Sequence, residues 1–435
     1  MGAVISFLAW VHKKKKTSQT LITSLPKDVS VDCTALVSPT LISSLPKNFS
    51  VNCIALVPIP KSPTLITSHT ERDSTDCTAL RVPKHKYPDL ITLLPADVLT
   101  DCIARVPKHW YPTLSLVSKL FRSMVASPEL YARRSLLGFA ESCIYVPIHC
   151  SHDLSIRWYT LLRNQRRLVP IPLLPLTPYS SSVYVVLGSR IFVLGGYYES
   201  QYTTNVSTMD CRYDTVQPYG TMPKAVVNPV AEVVDGKIYV IGGHHGKDSS
   251  FWSSDLMMVL DVESQTWEYV EKKSGLEMGH NLISCVALED KIYIKGCRKS
   301  FVFKPKEGKW EEEANELLHS SGRGTSGCVV DGILYSYDTY GNCLRAYDLK
   351  KRLSCGVVKG LGGLVKKSYK VFVVRCGENS VLLMQNGDLL KPGIWCAEIA
   401  LTERNQRGEI WGKVEWSQLV LDGDASFSDC LSVMV

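Results

Sequence analysis

The residue groupings in this chain that resemble reactive or ligand-binding chemistry are few, and each fails on spacing or context. Gly322-Arg323-Gly324-Thr325-Ser326-Gly327 has the G-x-G-x-x-G spacing whose bare glycines let a backbone approach a pyrophosphate. It follows an acidic, helix-like stretch and precedes an apolar, strand-like one, the reverse of the order a dinucleotide site needs, and so reads as a connecting loop. His244-His245 offers imidazole nitrogens to a metal, but neighbours in an extended segment point apart and no third ligand is evident. Gly246-Lys247 lacks the earlier Gly and the following Ser/Thr of a phosphate loop, and neither H-E-x-x-H nor G-x-S-x-G occurs. The 15 cysteines contain no C-x-x-C pair, which argues against a zinc ribbon or a thioredoxin-like motif, and an odd number fits a reducing compartment better than a disulfide framework. The expectation is therefore no catalytic residue, no metal and no cofactor.

The elements around these groups are repeats. Ile191-Phe192-Val193-Leu194-Gly195-Gly196 and Ile238-Tyr239-Val240-Ile241-Gly242-Gly243 are apolar strands ending in a glycine pair, where the chain is expected to turn with φ values other residues resist. Degraded copies follow at Ile292–Cys297 and Ile333–Tyr337, and a diverged fifth unit lies around Val381–Met384. Turns such as Asp235-Gly236 and Asp331-Gly332 introduce these strands and favour tight hairpins. Later in each unit a ring residue recurs, Trp267, then Trp310, Trp411 and Trp416, placed to wedge neighbouring units together. The spacing is 47 residues from Gly196 to Gly243 and 54 from Gly243 to Cys297, close to the ~50 of a kelch unit. Cys143–Val146 and Arg157–Leu162 read as late strands of a unit without its opening strand, and Cys430–Val435 as an opening strand with nothing after it. Joined, they make one composite blade and leave no open edge. The fold expected is mainly β: a kelch β-propeller of six blades over residues 138–435, one blade composite from both termini.

Ahead of the repeats, residues 89–137 read as three short amphipathic helices. Pro95 opens the first, with Asp97 at its positive end and Val98, Leu99, Cys102, Ile103 and Val106 as its apolar stripe. Leu114, Val117, Leu120, Phe121 and Met124 repeat the stripe on a second helix, and Ser127-Pro128 caps a third. A segment of roughly 45 residues is near the lower limit for a core that folds alone, so a partner is expected to complete it. Leu94-Pro95, Tyr111-Pro112, Leu116 to Ser123 and Ser127 to Tyr131 resemble, in order, an F-box of the plant F-box/kelch-repeat type. That resemblance implies docking on the Skp-type adaptor of a cullin-RING ubiquitin ligase. It puts the adaptor-facing positions at Leu94, Pro95, Leu99, Ile103, Val117 and Phe121. Ala96 stands where the family usually has an acid.

Residues 1–88 form an extension in which Thr20 to Cys33 recurs at Thr40 to Cys53, Thr64 to Cys77 and, as the F-box opening, Leu90 to Cys102. Only the last copy continues into further helices. An isolated helix of about 12 residues is marginal in water, so the extension reads as duplication with little order of its own. Met1-Gly2-Ala3-Val4-Ile5-Ser6 fits the myristoylation pattern, with Gly2 the acceptor and Lys13 to Lys16 the second, electrostatic signal; membrane contact is expected only if Gly2 is acylated. Net charge is +7, but residues 1–137 hold 17 Lys/Arg against 9 Asp/Glu while the remainder holds 32 against 33. A near-neutral propeller is a poor nucleic-acid binder.

Function is therefore expected from surfaces. Loops after the glycine pairs, Tyr197 to Asn205 and His244 to Ser254, gather on one face because each blade repeats one geometry. Phe251 and Trp252 are apolar residues in a polar loop and, with His244 and His245, are candidate contacts for a protein substrate. The chain reads as the non-catalytic substrate adaptor of a ubiquitin ligase, in the cytoplasm, the nucleus or both. The alternatives are a kelch scaffold that never joins a ligase and a kelch-propeller enzyme such as a copper radical oxidase.

Overall fold

The structure, a computed structural model, describes residues 94–150, 155–171, 181–199, 201–245, 252–270, 282–296, 299–313, 327–339, 341–362, 370–378, 380–388, 391–402, 405 and 408–435. Gly2, the lysine run and the duplicated segments of the extension lie outside the described residues. The chain divides into two compact units, Met1–Glu141 and Ser142–Val435. Among the described residues no helix is long and apolar enough to cross a membrane.

In the first unit four helices, not three, follow one another: α1 (Ala96–Ala104), α2 (Tyr111–Ser115), α3 (Lys119–Val125) and α4 (Pro128–Leu136), with a single 3₁₀ turn over Lys108–Trp110. The expected second helix is broken because Ser118 turns extended and caps a new one, its Oγ accepting from the Phe121 N–H at 3.3 Å. Ser127 and Pro128 open α4 as expected, whereas Pro95 stands just outside α1 rather than in its first turn. α1 packs on α4, and α2 on α3.

The second unit is a six-bladed β-propeller. Blades one to five are four-stranded antiparallel meanders in chain order. Blade one consists of Val183–Leu187, Arg190–Leu194, Asn205–Asp210 and Thr215–Thr221; blade two of Val227–Val234, Lys237–His245, Trp252–Asp261 and Thr266–Val270. Blade three holds Leu282–Leu288, Lys291–Gly296, Ser300–Lys304 and Lys309–Glu313; blade four Gly327–Val330, Ile333–Asp338, Cys343–Asp348 and Leu353–Val357; blade five Val371–Arg375, Ser380–Asp388, Lys391–Leu401 and Gly412–Asp422.

The sixth blade is the composite. Ser142–Cys150, Ile156–Leu162 and Arg167–Pro170 come from the N-terminal side, and Ala425–Phe427 and Leu431–Met434 add to the free edge of Ser142–Cys150 from the C-terminal side. Cys143 pairs with Val433 and Ile148 with Phe427. The sequence pattern shows two N-terminal strands here; the third, Arg167–Pro170, is only four residues long and ends in proline, too short for a period-2 pattern to show. The innermost strands of the six blades meet in succession, and the sixth meets the first.

The turns explain the register. Asp235-Gly236 and Asp331-Gly332 carry φ of +50°/+75° and +51°/+79°, the paired left-handed values of a type I′ hairpin. The two glycine pairs differ. Gly195 and Gly196 do turn with positive φ, +62° and +119°. Gly242 and Gly243 stay inside their strand instead, and Gly242 is needed for room: a Cβ there would sit 3.1 Å from the Val226 Cβ and 3.2 Å from the Pro229 Cα.

Apolar clusters fill the spaces between consecutive blades, for example Phe192 and Leu194 against Ile238, Val240 and Met258. Trp267 joins that cluster, Trp310 the next one, and Trp416 the one between blades five and six, as their spacing suggests. Trp411 does not: it is 46% exposed, ahead of the last strand of blade five, with the Lys359 ammonium 6.0 Å from its ring. The closing seam between blades six and one is more polar. There the buried Tyr145 hydroxyl donates at 3.0 Å to the Cys211 carbonyl and the Asp214 carboxylate, and Trp158 meets Tyr184 edge-on at 5.5 Å.

Candidate functional site

In the helical unit the apolar stripes turn inward. Leu99, Ile103, Val106, Leu114, Phe121 and Leu130 are all buried. Their shared core is tied by a charge that sequence reading did not single out. Arg134, only 1% exposed, donates to the carbonyls of Ala104 (3.0 Å) and Val106 (2.6 Å), to the Tyr111 hydroxyl (2.9 Å) and to the Glu141 carboxylate (3.1 Å). Its guanidinium also lies 5.5 Å from the Tyr111 ring centroid. Arginine suits this position because a planar fork with five donors can serve several acceptors from one buried point. The Ala104 carbonyl is one that the end of α1 leaves unsatisfied, and the Val106 carbonyl lies two residues beyond that end. Glu141 also accepts the Lys108 N–H, so the residues after α4 fold back onto the helices. Burial pushes the Tyr111 phenol up to about 12 despite the adjacent Arg134. A second tie is half-buried: Arg133 on α4 holds Asp101 on α1 with a two-point ion pair, one arm 2.8 Å, and this hydrogen bond keeps the Asp101 carboxyl below its ordinary range.

The six positions that the resemblance assigned to adaptor contact fall into two groups. Leu99, Ile103 and Phe121 are 3%, 0% and 2% exposed and form the core of the unit itself. Leu94 and Val117 are half-buried and Pro95 is exposed. The large apolar side chains that face solvent are Leu116, Leu120, Leu136 and Phe139. Leu116 and Leu120 flank Val117 and Ser118 at the turn between α2 and α3. The apolar pattern groups Leu120 with the stripe and leaves out Leu116, since it implies one continuous helix where the backbone breaks.

On the propeller, the segments joining second and third strands share one face, since every blade repeats the same meander. After Gly195-Gly196 the chain forms a small extra hairpin, Tyr197–Tyr198 paired with Gln201–Tyr202. In blade two both ends of the expected loop are strand: His244 pairs with Ser253 and His245 with Trp252, which corrects the expectation of loop for these residues. The backbone of all four belongs to the ladder because the glycine pair there remains extended. The side chains of His244, His245 and Trp252, and Phe251 altogether, lie outside the described residues. In blade four the corresponding turn is held by Asp338, which accepts from the Gly341 N–H at 3.1 Å and from Arg345 at 2.8 Å. Among the described residues no group of three or more His, Cys, Asp or Glu is arranged to hold a metal ion.

Two family models match the two units. The F-box domain matches residues 91–133, and the FKB95 kelch-repeats domain matches residues 158–421. The chain is a member of the F-box/kelch-repeat family. An F-box/kelch-repeat protein of Arabidopsis thaliana is 43% identical over 82% of this chain and 98% of its own length. Two others from the same plant are 35% and 34% identical, over 81% and 79% of this chain and 93% and 91% of their own lengths. The kelch match stops short of both edges of the propeller and leaves out Ser142–Cys150 and Leu431–Met434, the strands that close the ring. An F-box joined to a kelch propeller points to an adaptor type of protein.

Proposed function

We propose that this F-box/kelch-repeat protein is the target-recognition subunit of a cullin-RING ubiquitin ligase. F-box domains dock on Skp-type adaptors, which join a cullin scaffold. The propeller face then presents a protein target for ubiquitination. Bond chemistry belongs to other subunits, and this chain contributes proximity, which raises the effective concentration of target lysines at the transfer site. The observation that carries the reading is the helical unit: its core is closed around Arg134, yet Leu116 and Leu120 remain 64% and 39% exposed beside Val117. Solvent-facing leucines at one turn of so small a unit are the expected anchors of an obligate partner. Leu94, Pro95 and Val117 extend this docking face, while Leu99, Ile103 and Phe121 support it from behind. The proposal places the protein in the cytoplasm, the nucleus or both.

The test is co-purification of the full chain with a recombinant Skp-type adaptor. Leu116→Glu with Leu120→Glu should cut recovery by at least ~10-fold, as loss of desolvated anchors does, with helical content unchanged by circular dichroism. Leu94→Ala with Pro95→Ala should reduce it less. Undiminished recovery of the double-glutamate variant would overturn the docking face, and no recovery of the wild type would leave a kelch scaffold outside the ligase.

A further inference from the structure

Solvent-facing leucines are unselective anchors, since any apolar groove that covers them removes the same surface from water. What surrounds Leu116 and Leu120 is selective. Residues 111–126, which carry α2, the turn at Ser118 and α3, contain Lys119 and Arg122 and no aspartate or glutamate. Both cations are exposed. Elsewhere in the helical unit charges are answered from within: Arg133 by Asp101, Arg134 by Glu141, and Glu129 by the Ser127 hydroxyl. Among the described residues no carboxylate lies in ion-pair reach of Lys119 or Arg122. Nor does Lys119 serve its own helix: it opens α3, whose first turn holds no acid, so its charge opposes the backbone dipole there.

Arg122 is also held in place. Its Nε donates to the Ser115 carbonyl at 3.2 Å, across the break between the two helices. That bond seats the guanidinium at the residue before Leu116 and leaves both Nη groups without a protein acceptor among the described residues. A planar fork fixed through one arm can offer two parallel N–H groups to a carboxylate, whereas Lys119 supplies a compact point charge. Two leucines thus stand between two cations that the unit itself leaves unanswered.

We propose that Lys119 and Arg122 make this docking face selective for a partner whose apolar groove is edged by carboxylates, with Arg122 pairing with one of them. This selection rests on the ligase reading and narrows it: the adaptor surface that covers Leu116 and Leu120 is acidic at its edge. A groove with a neutral edge gains the leucines but no attraction at range, and one with a basic edge is repelled by both cations. Because these charges are exposed, they act chiefly on the association rate and on its response to salt.

The experiment measures association of the full chain with a recombinant Skp-type adaptor by stopped-flow fluorescence, in about 0.01 M and about 1 M salt, where charges are screened beyond about 30 Å and about 3 Å. Lys119→Gln with Arg122→Gln removes both charges while keeping polar side chains able to donate hydrogen bonds. This variant should associate about 10-fold more slowly than wild type at low salt, the lower end of electrostatic steering, and within about 2-fold of it at high salt. Arg122→Glu should be slower still at low salt. Circular dichroism should show the helical content of both variants unchanged. A wild-type rate that is unchanged or rises with salt overturns the proposal. So does a double-glutamine variant with no deficit at low salt, or one whose deficit persists undiminished at high salt, the mark of a packing role. Wild type that binds the adaptor without this charge dependence counts against the acidic edge alone, whereas wild type that fails to bind at either salt counts against the ligase reading and removes the acidic edge with it.

Discussion

Replacing Arg134 by methionine should unfold the helical unit. The side chain is of similar length and fits an apolar core, so the change removes the donors and the charge rather than the volume. Four acceptors then lose the arginine: the Ala104 and Val106 carbonyls, the Tyr111 hydroxyl, which still donates to the Ile103 carbonyl, and one oxygen of Glu141, which keeps the Lys108 N–H. Breaking a buried charged network from one side costs about 3–5 kcal/mol, because groups left behind stay desolvated without compensation. A unit of roughly 45–50 residues has a total stability on the order of 2–7 kcal/mol. The loss is thus comparable with everything that holds the helices together. Arg134→Lys should be nearly as damaging, since a single ammonium cannot span carbonyls, a phenol and a carboxylate at once. The assay is circular dichroism at the helix band, limited proteolysis with the cut sites mapped by mass spectrometry, and adaptor recovery, all on the full chain. Expected are reduced helix signal, cleavage within residues 94–141 and lost recovery. If Arg134→Met kept its helix signal, its protease resistance and its adaptor, the assignment of this arginine as the hub of the unit would be refuted.

Two other outcomes follow from the propeller. Burial raises the carboxyls of Glu232 and Asp429 to about 7, with the nearby Lys370 opposing the rise at Asp429. Their unfolded values lie near 4, so their contribution to stability is fully present below about pH 4 and is lost as pH rises through about 7, at a cost of up to about 4 kcal/mol each. Glu232→Gln and Asp429→Asn should therefore raise the melting temperature of the protein at pH 8 and do little at pH 4; variants no more stable than wild type at pH 8 would contradict the sign. Val433 is fully buried opposite Cys143 in the closing pair of strands, so Val433→Asp should cost several kcal/mol, of the order expected for an unpaired buried charge, about 3–5. Denaturant titration of the full chain checks it, and a midpoint within error of wild type would mean that the C-terminal strand does not close the ring.

Much of this protein was legible without coordinates because its information is periodic. Glycine pairs about 50 residues apart, type I′ turn dipeptides and a recurring tryptophan each report a local backbone or packing demand that recurs in several blades. Even the composite blade could be read, since an orphan opening strand at one end and strands lacking one at the other have a single economical pairing. Short-range signals also located the caps at Ser127 and the start of α1 to within a residue.

What sequence could not settle depends on which residues meet across long separations. Leu99, Ile103 and Phe121 have the same apolar pattern as Leu116 and Leu120, and periodicity alone does not tell a core stripe from a docking face. The break at Ser118 starts a new helix that buries Phe121 and leaves its neighbour Leu120 exposed, as Leu116 is before the break. Arg134 looks like any arginine on an exposed helix until α1 and α4 come together around it. The second glycine pair shows the same limit. Gly195 and Gly242 occupy equivalent places in the repeat, yet one is needed for its φ and the other for the nearness of Val226 and Pro229. Composition and spacing determined the two units, the six blades and their order; the inward or outward fate of each apolar side chain, and the acceptors that hold a buried charge, were decided only by tertiary packing, because both are set by neighbours that the linear pattern does not record.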